Sequence, residues 1–163
     1  MDRILRWSNF LNENSKYNRK IYGYSWNELY YIIEDEIDDP EEFLNYLIKK
    51  LKKIEKEEKI NLYRIVFAKN KDDIDVNKLG HHFVQDPKDF HEEMNDYLFR
   101  NARKENSELE ETDLFLVEVE IETKYIDFEY TIMTNCQHPF ESEITVEKPE
   151  KCVIKNITEY YDN

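Results

Sequence analysis

The chain reads as an α+β protein: helices first, then strands with one inserted helix. Three observations predict this. Apolar residues recur at helical spacing through the first third of the 163 residues. The period then shortens to two, most cleanly in Leu114–Glu122, where Val117, Val119 and Ile121 alternate with Glu118, Glu120 and Glu122. A turn signal, Lys148-Pro149-Glu150, joins the last two strand-like runs. One domain, 1–163, is expected, with a helical lead-in over 1–60 and a β-rich core over 61–158.

The elements follow in order. A short helix runs through Ile4, Trp7 and Leu11. Ser25 followed by Glu28 forms a capping box for a helix over Trp26–Ile37, with Trp26, Leu29, Tyr30 and Ile33 on its inner side. Asp39-Pro40 opens a second helix, proline at its first position, with Phe43, Leu44, Leu47, Ile48, Leu51 and Ile54 inward. Lys49–Lys59 is its solvated end. Leu62–Ala68 is a strand, Lys69–Lys78 a polar loop, and Gly80–Val84 a short strand. Asp86-Pro87 caps a helix with Phe90, Met94, Tyr97 and Leu98 inward. Ser107–Asp113 is an acidic loop. Tyr125–Met133 is a strand or short helix. Glu141–Glu147 and Cys152–Ile157 are closing strands joined at Lys148-Pro149-Glu150.

Composition narrows the function. The formal net charge is −14, with 37% charged and 14% aromatic residues. Residues 1–60 hold 11 basic and 13 acidic side chains, and residues 61–163 hold 12 and 24, so the β-rich part carries the field. Self-repulsion against phosphates argues against direct nucleic-acid or anionic-membrane binding and favours a basic macromolecular partner. No hydrophobic run has membrane-spanning length and no signal-peptide core opens the chain, so a cytoplasmic setting is expected. Cys136 and Cys152 match no disulfide, zinc or redox spacing and read as inert. His81, His82 and His91 do not make a metal site: adjacent strand residues point apart, and His91-Glu92-Glu93-Met94-Asn95 lacks the second histidine of a zinc helix. No metal is expected.

Two features suggest chemistry. Arg64 interrupts the apolar run Leu62-Tyr63-Arg64-Ile65-Val66-Phe67-Ala68, where a charge is expensive unless something fixed compensates it. Glu141-Ser142-Glu143 places two acids at i and i+2, on one face of a strand together with Thr145. The plain structural reading makes Arg64 a buried ion-pair partner of Glu141 or Glu143, and the glutamates a solvated strand face. The functional reading makes them opposite walls of a polar cleft.

This order resembles the mono-ADP-ribosyltransferase fold of the arginine–serine–glutamate class, of bacterial toxin and phage type: a strand with arginine, a short strand leading into a helix, then a Glu-x-Glu strand followed by a last strand. The resemblance covers roughly residues 60–158. It implies a mixed β core with an inserted helix, and NAD as the substrate. Arg64 would hold its phosphates, with Tyr63, Gly80, His82 and Phe83 also lining the cofactor site. Glu143 would be the catalytic glutamate. Glu141 would be the second acid, which accompanies arginine as acceptor. His82 stands in the slot of the family's serine, and an imidazole also can donate a hydrogen bond to a carboxylate. The implied activity is ADP-ribosyl transfer to a macromolecule, or NAD hydrolysis. The alternative from charge alone is a non-enzymatic nucleic-acid mimic that blocks a basic groove, with Glu118, Glu120 and Glu122 as its face.

Overall fold

The computed structural model describes residues 26–90 and 92–160. The expected helix through Ile4, Trp7 and Leu11, and the Ser25 cap, lie outside them. Helix α1, Trp26–Ile33, buries Leu29 and Ile33 completely. It stops short of Ile37 because the chain turns at Glu34–Glu36, with the Glu36 and Ile37 amides both donating back to the Ile33 carbonyl. Tyr30 is 36% exposed, at the rim of this face rather than in the core.

Helix α2, Pro40–Lys56, begins as the sequence indicates: the Asp39 carboxylate accepts from the Glu42 amide at 3.0 Å, and proline takes the first turn. Leu44, Leu47, Leu51 and Ile54 are buried along one stripe. Leu51 is fully buried, so Leu51→Ala should cost about 2–5 kcal/mol. Urea denaturation checks this: the midpoint falls while the slope stays constant.

Among the described residues five strands follow: β1 (Lys59–Phe67), β2 (His82–Val84), β3 (Leu114–Glu122), β4 (Glu143–Thr145) and β5 (Val153–Glu159). They form one sheet in the order β4-β2-β1-β3-β5. The α+β class holds, but every ladder is antiparallel, where a mixed core was expected. The two closing strands are not neighbours either. They flank opposite edges of the sheet, because β2 and β3 already occupy both sides of β1.

The sheet has two unequal faces. Leu62, Val66, Phe83, Val117, Val119, Ile121 and Ile144 join the buried residues of α1, α2 and a further helix, α4 (Phe128–Gln137), in one core. The reverse face buries Ile65, Val84 and Leu114. Helix α3, Glu92–Glu105, covers it, with Phe99 against Phe67 at 5.2 Å between ring centroids. The inward stripe of α3 is Met94, Asn95, Leu98, Phe99 and Ala102. Tyr97 is therefore 60% exposed, not core as its spacing suggested. A polar asparagine inside the stripe hid its phase.

The ambiguous segment 125–133 is helical. A short turn at Thr123–Tyr125 and an Asp127 cap, accepting from the Tyr130 amide at 3.0 Å, start α4. Among the described residues no helix is long and apolar enough to cross a membrane. Both thiols are buried and free, and burial pushes Cys136 up to about 12 and Cys152 up to about 11, far from a reactive thiolate.

Candidate active site

Arg64 lies between Leu62 and Val66 on the core-facing side of β1 and is half-buried. β1 and β2 register at a single pair, Tyr63 with Val84. Beyond it the strands part, and the Arg64 side chain takes up the pairing that the backbone abandons. Its Nη1 donates to the His82 carbonyl at 2.6 Å. Burial lowers the guanidinium pKa, and the Glu143 carboxylate opposes that effect. The group stays charged, since arginine is not deprotonated in proteins. Among the described residues no carboxylate pairs with it directly, so the plain ion-pair reading fails in its simple form.

Gly80 lies against this guanidinium. A Cβ built on it would stand 3.6 Å from Nη2, which is ordinary contact, so space alone does not require glycine. Its φ of +67 does.

β2 and β4 pair as His82 with Thr145, Phe83 with Ile144 and Val84 with Glu143. Phe83 and Ile144 point into the core, so alternation turns His82, Glu143 and Thr145 to the other side. His82 Nδ1 stands 3.4 Å from Glu143 Oε2 and 3.4 Å from Thr145 Oγ1. Both distances are long, as in unliganded sites whose bonds tighten only around substrate. Burial, then the charges of Arg64 and His81, lower the His82 pKa, so the ring is neutral at neutral pH. Glu143 is pushed up to about 7, first by burial and next by the Glu141 carboxyl, while Arg64 pulls the other way.

The two glutamates meet, but not by strand alternation. Ser142 has φ +50, so the strand starts only at Glu143 and Glu141 lies before it. The kink nevertheless brings the Glu141 carboxyl within hydrogen-bonding reach of Glu143, and its presence helps hold the Glu143 proton.

Not every residue named from the sequence joins the group. Phe83 is 1% exposed and belongs to the core. The Tyr63 hydroxyl bonds to Glu118 on β3, on the other side of β1 from Arg64. Among the described residues, no cluster of three or more His, Cys, Asp or Glu could hold a metal. One participant was not legible beforehand. The Tyr130 ring stacks beside His82, with centroids 6.1 Å apart and planes 28° from parallel. Only the helical reading of 128–137 could have pointed to it.

Glu118, Glu120 and Glu122 are occupied locally. Glu118 accepts from Tyr63, Glu120 lies 3.6 Å from Lys59 and 3.7 Å from Lys155, and Glu122 lies 3.0 Å from Lys124.

Glu143 supplies a pH test. Its pKa in the fold, about 7, exceeds the ordinary 4.5, so the folded chain holds the proton more tightly than the unfolded one. The resulting stabilisation is fully present below the unfolded pKa and is lost as pH rises through about 7. Glu143→Gln should therefore be more stable than the parent at pH 8, by about 1–2 kcal/mol after discounting for partial solvent access. The two should converge near pH 4. Parallel melting curves across that window would remove Glu143 as the group that titrates. No protein-family model, no curated protein and no solved structure matches the chain.

Proposed function

We propose that this protein cleaves the nicotinamide–ribose bond of NAD and transfers the ADP-ribosyl group to a macromolecular acceptor or to water, as an enzyme of the ADP-ribosyltransferase type. One observation carries the reading: Arg64 on β1 donates to the His82 carbonyl, and the His82 ring on β2 stands 3.4 Å from the Glu143 carboxyl on β4. A carboxyl raised to about 7 beside a neutral imidazole, with a partly buried cation on the next strand, marks a candidate functional site.

The residues fit the substrate. Arg64 gives one nitrogen to the His82 carbonyl, and a guanidinium carries five N–H donors, so others remain for a pyrophosphate. The net charge of −14 repels an anionic dinucleotide at long range, which makes the local grip of Arg64 decisive. When the glycosidic bond breaks, its electron pair leaves with nicotinamide and positive charge develops on the ribose carbon. Glu143, in the ionised form it takes above about pH 7, stabilises the charge in a partly dry site. The acceptor's lone pair then forms the new bond to that carbon, and its proton passes to solvent water. His82 orients the carboxylate from the position of the family's serine. Glu141, beside Glu143, favours a cationic acceptor such as arginine on a basic protein surface. A cytoplasmic setting, that of the host if the chain is phage-encoded, suits both NAD and such an acceptor.

The nucleic-acid-mimic alternative is weaker, because its three carboxylates are each engaged by a neighbour in this chain. The deciding experiment is nicotinamide release from millimolar NAD, with and without a basic protein acceptor. No release in either case, alongside salt-sensitive binding to a nucleic-acid enzyme, would overturn the proposal in favour of the mimic.

A further inference from the structure

Among the described residues, the strand that carries Glu143 is an edge strand, and β4 has only β2 beside it. The outward backbone groups of such a strand need partners. Here helix α4 and the segment just before it, bridged to the strand at Ile126 and Val146, supply them. The Glu143 carbonyl accepts from Asn135 Nδ2 at 2.7 Å, and the Thr145 amide donates to Thr131 Oγ1 at 3.0 Å. The Thr145 carbonyl accepts from the Asp127 amide at 2.8 Å, and the Glu147 amide donates to the Tyr125 carbonyl at 2.7 Å. Residues 143, 145 and 147 are thus bonded in step, as by a neighbouring strand, with two of the bonds coming from side chains of α4.

Those side chains have no freedom. Thr131 and Asn135 stand four residues apart, on one face of α4, and are 0% and 4% exposed. The Thr131 hydroxyl donates to the Asp127 carbonyl at 2.7 Å, so toward Thr145 it can only accept. Asn135 Nδ2 also donates to the Thr131 carbonyl at 2.7 Å, which commits both amide hydrogens to carbonyls and settles the orientation of the group. Hydroxyls and amides that bond back to the preceding turn weaken a helix slightly. That cost is offset here by clamping the strand on either side of Ile144.

We propose that Thr131 and Asn135 are positioning residues that hold Glu143 in its reactive place, α4 acting as the missing outer strand. The proposal rests on the reading of Glu143 as the group that faces the reacting carbon. The clamp acts at the Glu143 carbonyl itself, next to the kink at Ser142, so releasing it frees the backbone that carries the Glu143 side chain.

The test compares Thr131→Val, which keeps shape and loses the hydroxyl, with Thr131→Ser, which restores it, and adds Asn135→Leu in case the valine variant does not fold. Thr131→Val and Asn135→Leu should lower kcat for NAD by about tenfold or more while KM changes little, and should move the pH midpoint of kcat. Thr131→Ser should recover most of the rate. Wild-type kcat and pH profile in a folded Thr131→Val or Asn135→Leu protein would overturn the proposal, as would equal losses in the valine and serine variants. A second readout does not need turnover. The pH dependence of stability, compared with and without Glu143→Gln in each background, reports the Glu143 midpoint. A purely structural role lowers the melting temperature and leaves that midpoint in place, which would also overturn the proposal. If the parent chain does not act on NAD, the enzymatic reading falls, and the second readout still decides whether Thr131 and Asn135 hold Glu143.

Discussion

Glu143→Gln is expected to lower nicotinamide release from NAD by at least ~10² while leaving the fold intact. The substitution keeps the shape and removes the charge. The amide oxygen also can accept from His82, so the contact at 3.4 Å can be kept. What disappears is a negative charge opposite a carbon that becomes positive, in a site where burial has already raised the carboxyl to about 7. A fixed charge in such surroundings acts far more strongly than in water. The free protein is ionised only above that midpoint, so kcat/KM of the parent should rise with pH through about 7 and flatten above it. Initial rates from pH 5.5 to 8.5 check both statements. A glutamine variant as active as the parent, or a profile without a midpoint near neutrality, would assign the chemistry to another residue.

Arg64→Ala is expected to abolish the stabilisation that NAD confers. For the parent, ligand at 100 times the dissociation constant adds about 2.7 kcal/mol, visible as a raised melting temperature. Without the guanidinium the proposed phosphate grip is gone. The alanine also leaves the His82 carbonyl without its 2.6 Å donor, so the variant should lose about 1–3 kcal/mol in the absence of ligand. Arg64→Lys separates the two roles, because it retains charge without the planar fork and should keep only part of the NAD response. Glu120→Lys, remote from Arg64 and set among lysines, should leave the NAD response unchanged. A full NAD shift in Arg64→Ala would show that the arginine serves the β1–β2 junction alone.

Particular elements show how far the residues themselves lead. The α2 stripe, the Asp39 cap and the alternation of β3 are local matters, settled by spacing and by hydrogen bonds within a few residues. They came out as the sequence indicated. Arg64 was legible as a candidate for the same reason, since an arginine in an apolar strand breaks local expectation, whereas Glu143 was singled out by strand alternation and the family resemblance. The errors have a common cause. Tyr97 and Tyr30 lie at core spacing, but which side of a helix faces inward depends on what it packs against. The second acid lay near the first for a reason that alternation could not supply, since one backbone angle at Ser142 ended the strand early.

The sequence by itself determined the α+β class, the element types over most of the described chain, the strongly acidic surface and the two unusual charged positions. Tertiary structure alone decided that β4 and β5 lie on opposite edges, and that β1 and β2 part just where Arg64 can bond the His82 carbonyl. It also decided that Glu118, Glu120 and Glu122 are each engaged by a neighbour in the chain, and that α4 supplies part of the outer edge of the strand bearing Glu143. The physical reason is range. Periodicity and capping are set by neighbours a few residues apart, whereas strand order, desolvation and hydrogen bonds such as His82–Thr145, across 63 residues, exist only once the chain has closed on itself.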